Sequence, residues 1–280
     1  MDRGRRRRIV DRLARGACVA AVRVALVPLC SVLAYVAARG LAGLGWSFFT
    51  ELPRPVGELG GGMANAIVGT LVVVGLACLV GIPVGVLAGI YLAELGTGWL
   101  ARGARFGADV MSGVPSIAVG IFVYTLVVLS MRRFSALAGG LALGVLMLPT
   151  VIRTTEELLR LVPASLREAG LALGVPKWRV ILRVVLRTAA PGIATGVMLA
   201  VARVAGETAP LLFTAFNSRF WSARLDAPIA SMPVQIYTYA VSPYEEWHRQ
   251  AWAAALVLVA LVLVLNILAR VLTYSRGGPR

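Results

Sequence analysis

RTTEELLRLVPASLREAGLALGVPKWRVILRVVL, residues 153–186, interrupts an otherwise apolar chain with a charged stretch much too long for a turn. Its local signals predict two short helices. Pro163 ends the extension of the apolar run before it. Ser165 and Glu168 read as an S-x-x-E capping box, which starts a helix at Ser165. Gly174 follows Leu171, Ala172 and Leu173 where a left-handed C-terminal cap is expected, and Pro176 is expected in the first turn of a second helix. In that second helix Trp178, Ile181, Leu182, Val185 and Leu186 form one apolar stripe, while Arg179, Arg183 and Arg187 recur on another face. Two readings stay open at this point. The helix rests on a lipid surface with its arginines toward headgroups, or the pair forms a helix–Gly–helix knob that grips a partner.

On both sides of this stretch the chain is made of apolar runs long enough to cross a bilayer, whose hydrocarbon core takes about 20 residues of helix. They are Ala17–Ala38 (broken by Arg23), Met63–Tyr91, Val110–Met131, Ala136–Ile152, Ala189–Phe216 and Ala251–Ala269. Of the 280 residues 59% are hydrophobic and only 15% are charged, which excludes an ordinary soluble domain. The expected fold is all-α and polytopic, with six transmembrane helices. Residues 1–16 form a basic N-terminus, and 17–280 one membrane domain with a coupling segment at 156–187 inside it.

The formal net charge of +15 would suggest nucleic acid in a soluble protein. Here it follows topology. With the N-terminus inside, nineteen of the 28 lysines and arginines fall in inside segments and seven in outside ones. That asymmetry places both termini in the cytoplasm. The turn around Arg132 and Arg133 fits this pattern least well. No basic patch is interleaved with aromatic residues, so no nucleic-acid partner is expected. The run RRRR at 5–8 reads as a topology anchor to anionic lipid rather than a signal peptide, since no small-residue cleavage site followed by a soluble domain comes after it.

Redox and metal chemistry are not indicated. Cys18, Cys30 and Cys78 sit in apolar runs without C-x-x-C or metal-ligand spacing, and Cys18 and Cys30 are too far apart on one helix for a disulfide. The chain has no G-x-x-x-x-G-K-[ST] phosphate loop. The outer segment 39–62, with ELPRPVGELGGG, reads as an irregular loop. GIPVG (81–85) and SGVPS (112–116) suggest bent, closely packed helices.

REAGLALGVPKWRVILRVVL (167–186) resembles the cytoplasmic coupling motif of ABC importer permeases, whose pattern is E-A-A, three residues, G, nine residues, then I-x-L-P. Glu168, Ala169 and Gly174 match its first part, while Gly170 occupies the third position in place of alanine. Val184 replaces the isoleucine and Leu186 matches. Arg187 stands where proline is usual, so Pro191 is expected to end the knob four residues later. FFTELPRPVGELGGGMANAIVGTL (48–71), SGVPSIAVGIF (112–122), LPTVIRTTEELLRLVP (148–163), ARVAGETAPLLFTA (202–215) and PVQIYTYAVSPYEEWHRQAWAAALVL (233–258) are similar to the A-type permease subunit of phosphate-specific ABC importers. The resemblance covers most of the chain from about residue 48 and implies a permease of the bacterial inner membrane, not an enzyme on its own. It implies a heterodimer with a companion C-type permease, two copies of a cytoplasmic ABC ATPase that bind ATP and magnesium, and an extracytoplasmic phosphate-binding protein. No cofactor is expected on this chain. Glu168, Ala169, Gly170 and Gly174 would contact the ATPase.

RVAGETAP (203–210) places an arginine and a glutamate inside the fifth apolar run. Counted from Ala189 at about 1.5 Å per residue, Arg203 lies about 21 Å along the helix, past the middle of the membrane. The i, i+4 spacing puts Glu207 on the same face, where each neutralises the other. The pair reads as a salt bridge locking helices, or as a substrate site in which Arg203 offers a planar fork to a tetrahedral anion and Glu207 is its resting counter-ion. Thr208 and Thr214 are candidate hydroxyl donors. Rival functions are an importer of phosphonate, sulfate or molybdate, an ion-coupled secondary carrier, and a non-transporting membrane scaffold or sensor.

Overall fold

In a bilayer every backbone polar group must find its partner within the protein, so the apolar runs have to become helices. The structure, a computed structural model, describes residues 3–58, 60–222 and 224–274, and among them it is helical with no strand. Arg276, Arg280 and most side chains of the basic run 3–9 lie outside the described residues. The chain runs through α1 (Arg3–Leu41), α2 (Trp46–Thr50) and α3 (Ala64–Ile90), which ends in a π-helical turn Tyr91–Leu95. Next come α4 (Gly98–Gly113) and a rod made of α5 (Ser116–Val123), a π-helical turn Tyr124–Val128 and α6 (Leu129–Met131). After α7 (Ala136–Arg160) and α8 (Ala164–Ala172), α9 (Lys177–Val180), a π-helical turn Ile181–Val185 and α10 (Leu186–Ala205) form a second composite rod. The order ends with α11 (Ala209–Thr214), α12 (Met232–Ala240) and α13 (Glu245–Tyr274). Among the described residues five rods are long and apolar enough to cross a membrane, or six if the bent pair α4 and α5–α6 is one span.

Several expected boundaries move, each for a local reason. The third run is not one straight helix: its first residues belong to α4, and Gly98–Gly113 meets Ser116–Met131 at 108°. Pro115 holds Val114 extended (φ −71°, ψ 130°), because the residue before a proline is pushed out of the helical region. The fifth run does not continue to Phe216. It stops at Ala205, and a new helix starts only at Ala209, with Pro210 in its first turn. Nor is the knob's second helix separate from the fifth span, because Lys177 to Ala205 is one rod. The rod passes through Pro191, which therefore does not end the knob. The capping box is absent too. Pro163, extended at ψ 140°, takes the cap position and α8 begins at Ala164, so Ser165 is already inside the first turn. Pro176 likewise sits just before its helix as the cap rather than within the first turn.

The centre of the molecule is the crossing of α3 with α7. Gly81, Gly85 and Gly89 recur once per turn and admit Met147, Val151 and Thr155; a β-carbon on Gly85 would lie 2.7 Å from Val151 Cγ1. Small residues at such spacing let membrane helices approach closely, which is where their dispersion energy comes from. Around this seam Val73, Leu143, Met147, Val185, Val201 and Val204 form the buried core. Gly85→Leu is expected to force the two helices apart at a cost of about 1–3 kcal/mol. The thermal midpoint of the detergent-purified complex then falls, and an unchanged midpoint would contradict this packing.

At the end of the molecule opposite α8, the segment 215–231 closes the bundle. The backbone amides of Ser135, Ala136 and Leu137 donate to the carbonyls of Thr214, Ala227 and Leu225 at 3.0, 3.1 and 3.0 Å, so the N-terminus of α7 is satisfied by that loop. Arg133, one of the two arginines that fitted the charge asymmetry poorly, pairs with Asp226 at 3.0 Å. Arg224 donates to the same carboxylate at 2.8 and 3.0 Å and holds its pKa below the ordinary value, with Arg133 adding to the effect. α1 stands apart: it touches α13 at its last turns, where Tyr35 meets Trp252 edge-on at 5.1 Å, and its described side chains before position 36 are exposed.

Candidate functional site

Two regions carry the residues singled out in the sequence, and they lie at different levels of the α9–α10 rod. The first is its far end. Of the exposed positions of α10, Thr188, Pro191, Thr195, Leu199 and Arg203 follow one another three or four residues apart and line one face, with Arg187 and Ala190 exposed beside its start. Arg203 closes that stripe in the last helical turn, where a cation also meets the negative end of the helix dipole. The opposite face of α10 is buried in the core through Ile193, Val197, Ala200, Val201 and Val204.

Arg203 and Glu207 are not joined as the spacing predicted. Among the described residues no hydrogen bond or ion pair links them. The i, i+4 rule holds only within a continuous helix, and Gly206, the C-cap at φ −95° and ψ −2°, ends the helix between them. Arg203 is exposed and Glu207 half-buried just beyond the end. The broken segment is held firmly, because Gly120 of α5 lets Pro210 approach so closely that a β-carbon there would lie 2.6 Å from Pro210 Cα. Thr214 is buried and donates its hydroxyl to Pro210 O at 2.7 Å, so it has no proton to offer an anion. Thr208 stays half-buried beside Glu207.

The second region is α8 and its turn. Gly174 adopts φ 73°. The amide of Val175 donates to Gly170 O at 3.3 Å and that of Gly174 to Leu171 O at 2.9 Å, the two bonds of a Schellman cap. Gly170 is needed for a different reason: a β-carbon on it would lie 3.0 Å from Val180 Cγ2, where α8 folds back on α9. Glu168 and Ala169 are exposed, and α8 buries no residue of its own. Leu161, Leu166, Leu171 and Leu173 stand in solvent around it, Leu173 at 82% exposure. The expected apolar stripe of the next helix is rotated as well. Val180, Ile181 and Val185 are buried, while Trp178 and Leu182 are exposed, because the π-helical turn at 181–185 shifts the register.

A third cluster escaped the sequence reading. Glu156, 2% exposed, receives Arg105 Nε at 2.6 Å, Arg160 Nη2 at 2.7 Å and Arg153 Nη1 at 3.3 Å. Arg153 also forms a fork onto Asp109 of α4, with Nε donating at 2.8 Å. Arg105 donates further to Leu92 O at 2.7 Å. Glu94 and Arg167 make a second such junction, with Nη2 to Oε1 at 2.6 Å. The only sequence signal was the spacing of Arg153, Glu156 and Arg160 along one helical face, and it became meaningful once α7 proved to run past Ile152.

The signature of the family described as "binding-protein-dependent transport system inner membrane component" matches residues 81–275. The phosphate transport system permease protein PstA of Yersinia pestis is 49% identical over 267 residues, covering 95% of this chain and 90% of that protein. The protein of the same name from Haemophilus influenzae is 44% identical over 265 residues, covering 94% of each. Among solved structures, an inward-facing MetNI methionine ABC transporter chain matches with a TM-score of 0.63 at 16% identity, over 77% of this chain and 98% of that one. A chain of a bacterial ABC transporter involved in import of the acidic polysaccharide alginate matches with a TM-score of 0.60 at 15% identity, over 97% and 100%. These two likenesses concern the fold alone.

Proposed function

The chain belongs to the family of binding-protein-dependent transport system inner membrane components and is a phosphate ABC importer permease; we propose that Arg203 lines its anion path and that α8 is its ATPase contact. It is a multi-pass membrane protein that works with ATPase and binding-protein partners, and ATP is hydrolysed by the separate ATPase subunit. We also propose that ATP and magnesium are bound by that partner and that this chain works without a cofactor of its own.

The observation that carries the path assignment is the exposed stripe of α10. A charge facing lipid at mid-membrane costs roughly 2.5–3.5 kcal/mol, so a face that ends in an exposed arginine has to meet water or another protein. A companion permease of the C type across that stripe encloses a passage, with Arg203 presenting two parallel N–H donors to phosphate. Glu207, half-buried just past the helix end and not paired with Arg203, is not given the counter-ion role. The exposed length of α1 supplies a further surface for the companion and for lipid. The nineteen-to-seven asymmetry of basic residues supports an orientation with α8 and both termini in the cytoplasm.

At that cytoplasmic end Glu168, Ala169, Gly170 and Gly174 shape a helix whose outer surface is bare and leucine-rich, as expected of a part that seats in a cleft. Leu173→Glu tests the contact. Burying a leucine contributes about 1.5–3 kcal/mol, so the variant permease is expected to retain its fold and lose co-purifying ATPase. Undiminished ATPase on the variant would overturn the assignment. Phosphate as cargo is tested by ATPase activity of the assembled complex, which is stimulated by phosphate-loaded binding protein and not by sulfate, molybdate or phosphonate alone.

A further inference from the structure

α8 presents a mechanical problem. It buries no side chain, so apolar packing cannot carry a load between it and the membrane bundle. Its connections are its two covalent ends, light packing on α9 and the π-helical turn after it, where Gly170 meets Val180, and Arg167. Arg167 is the residue before Glu168, but its side chain turns inward. Nη2 meets Glu94 Oε1 at 2.6 Å, and Nε lies 3.1 and 3.3 Å from the two carboxylate oxygens. The same guanidinium donates to Leu159 O at 2.7 Å, in the last turn of α7, and to Val162 O just beyond it. Glu94 is almost buried, with 6% of its side chain exposed, and Lys177 at the start of α9 donates to its backbone carbonyl at 3.3 Å. One side chain therefore joins α8 to the ends of α3 and α7.

Glu94 lies in the π-helical turn that ends the second span, two residues before Gly96 and the hinge at Gly98, which adopts φ 83°. Beyond that hinge α4 is held along its length by Arg105 on Glu156 and Asp109 on Arg153. Whatever displaces Arg167 is thus delivered to the elbow between the second span and the bent third one.

We propose that Arg167 and Glu94 are positioning residues of transport, the joint through which movement of α8 reaches the α3–α4 elbow. This rests on the reading of α8 as the ATPase contact. A planar fork on a carboxylate suits the task, because it resists rotation as well as separation.

The test uses the full complex in proteoliposomes and reads phosphate moved per ATP hydrolysed. Arg167→Gln and Glu94→Gln are each expected to lower that ratio about tenfold, within the roughly 5- to 150-fold range of couplings between linked sites. ATPase stays bound and active. The double variant falls no further than either single one, because both remove the same joint. Three results would overturn the proposal: an unchanged ratio, losses that multiply in the double variant, or uptake that falls only in proportion to the complex recovered. Should Arg167→Gln fail to accumulate, Arg167→Lys decides, with an intermediate ratio expected and a wild-type ratio contradicting the joint. Leu173→Glu separates the two levels. If it leaves the ATPase bound, the contact reading fails. If it releases the ATPase while the Arg167 variants stay fully coupled, only the joint fails.

Discussion

With Arg203 replaced by glutamine, the complex assembles and hydrolyses ATP while phosphate uptake falls by at least about 100-fold, since each of the two hydrogen bonds to a charged group is worth about 1.5–3 kcal/mol. The expectation follows from where the side chain stands. Among the described residues the Arg203 side chain braces no other part of the chain: it is exposed, makes no ion pair with Glu207, and closes the exposed stripe of α10. Its loss therefore leaves the packed face of α10, from Ile193 to Val204, untouched. Arg203→Lys keeps the charge and loses the fork, so its uptake falls between the wild type and the glutamine variant. If the glutamine variant instead lowers the amount of complex in proportion to uptake, Arg203 is a brace between subunits and the anion site lies elsewhere.

Glu156→Gln has the opposite signature. Its carboxylate receives Arg105, Arg153 and Arg160, and among the described residues only Arg153 pairs with a second acid, Asp109. Taking away the buried acceptor on which these three partly exposed arginines converge costs about 1–3 kcal/mol. Folded domains are stable by only about 5–15 kcal/mol. The variant is therefore expected to accumulate poorly in the membrane, and uptake per molecule of assembled complex changes much less than the amount of complex. Glu157→Gln, one residue on but exposed, is the comparison and shifts stability by no more than about 0.5 kcal/mol. Equal effects at the two positions would contradict the network.

The difference between these two sites shows what the sequence could reveal. Arg203 was legible because a charge in an apolar run is rare and calls for a reason. Gly174 was legible because a left-handed cap is a local event, settled by the few residues around it. Glu156 was not legible, since its partner Arg105 is 51 positions away and nothing local marks the meeting. The breaks at Pro115 and at 206–208 were hidden for another reason: hydropathy records that a run is apolar, and not whether its backbone is continuous. The supposed pair of Arg203 with Glu207 failed with that continuity. At Ser165 two local rules competed. The capping pattern was present, but Pro163 had already set the helix start one residue before it.

The most direct test of the whole account is uptake of radiolabelled phosphate by proteoliposomes containing this chain, its companion permease, the ATPase and phosphate-loaded binding protein. The account predicts accumulation that requires ATP on the ATPase side, disappears when this chain is omitted, and is not competed by excess sulfate or molybdate. Accumulation that proceeds without ATP along an ion gradient, or that carries sulfate equally well, would contradict it.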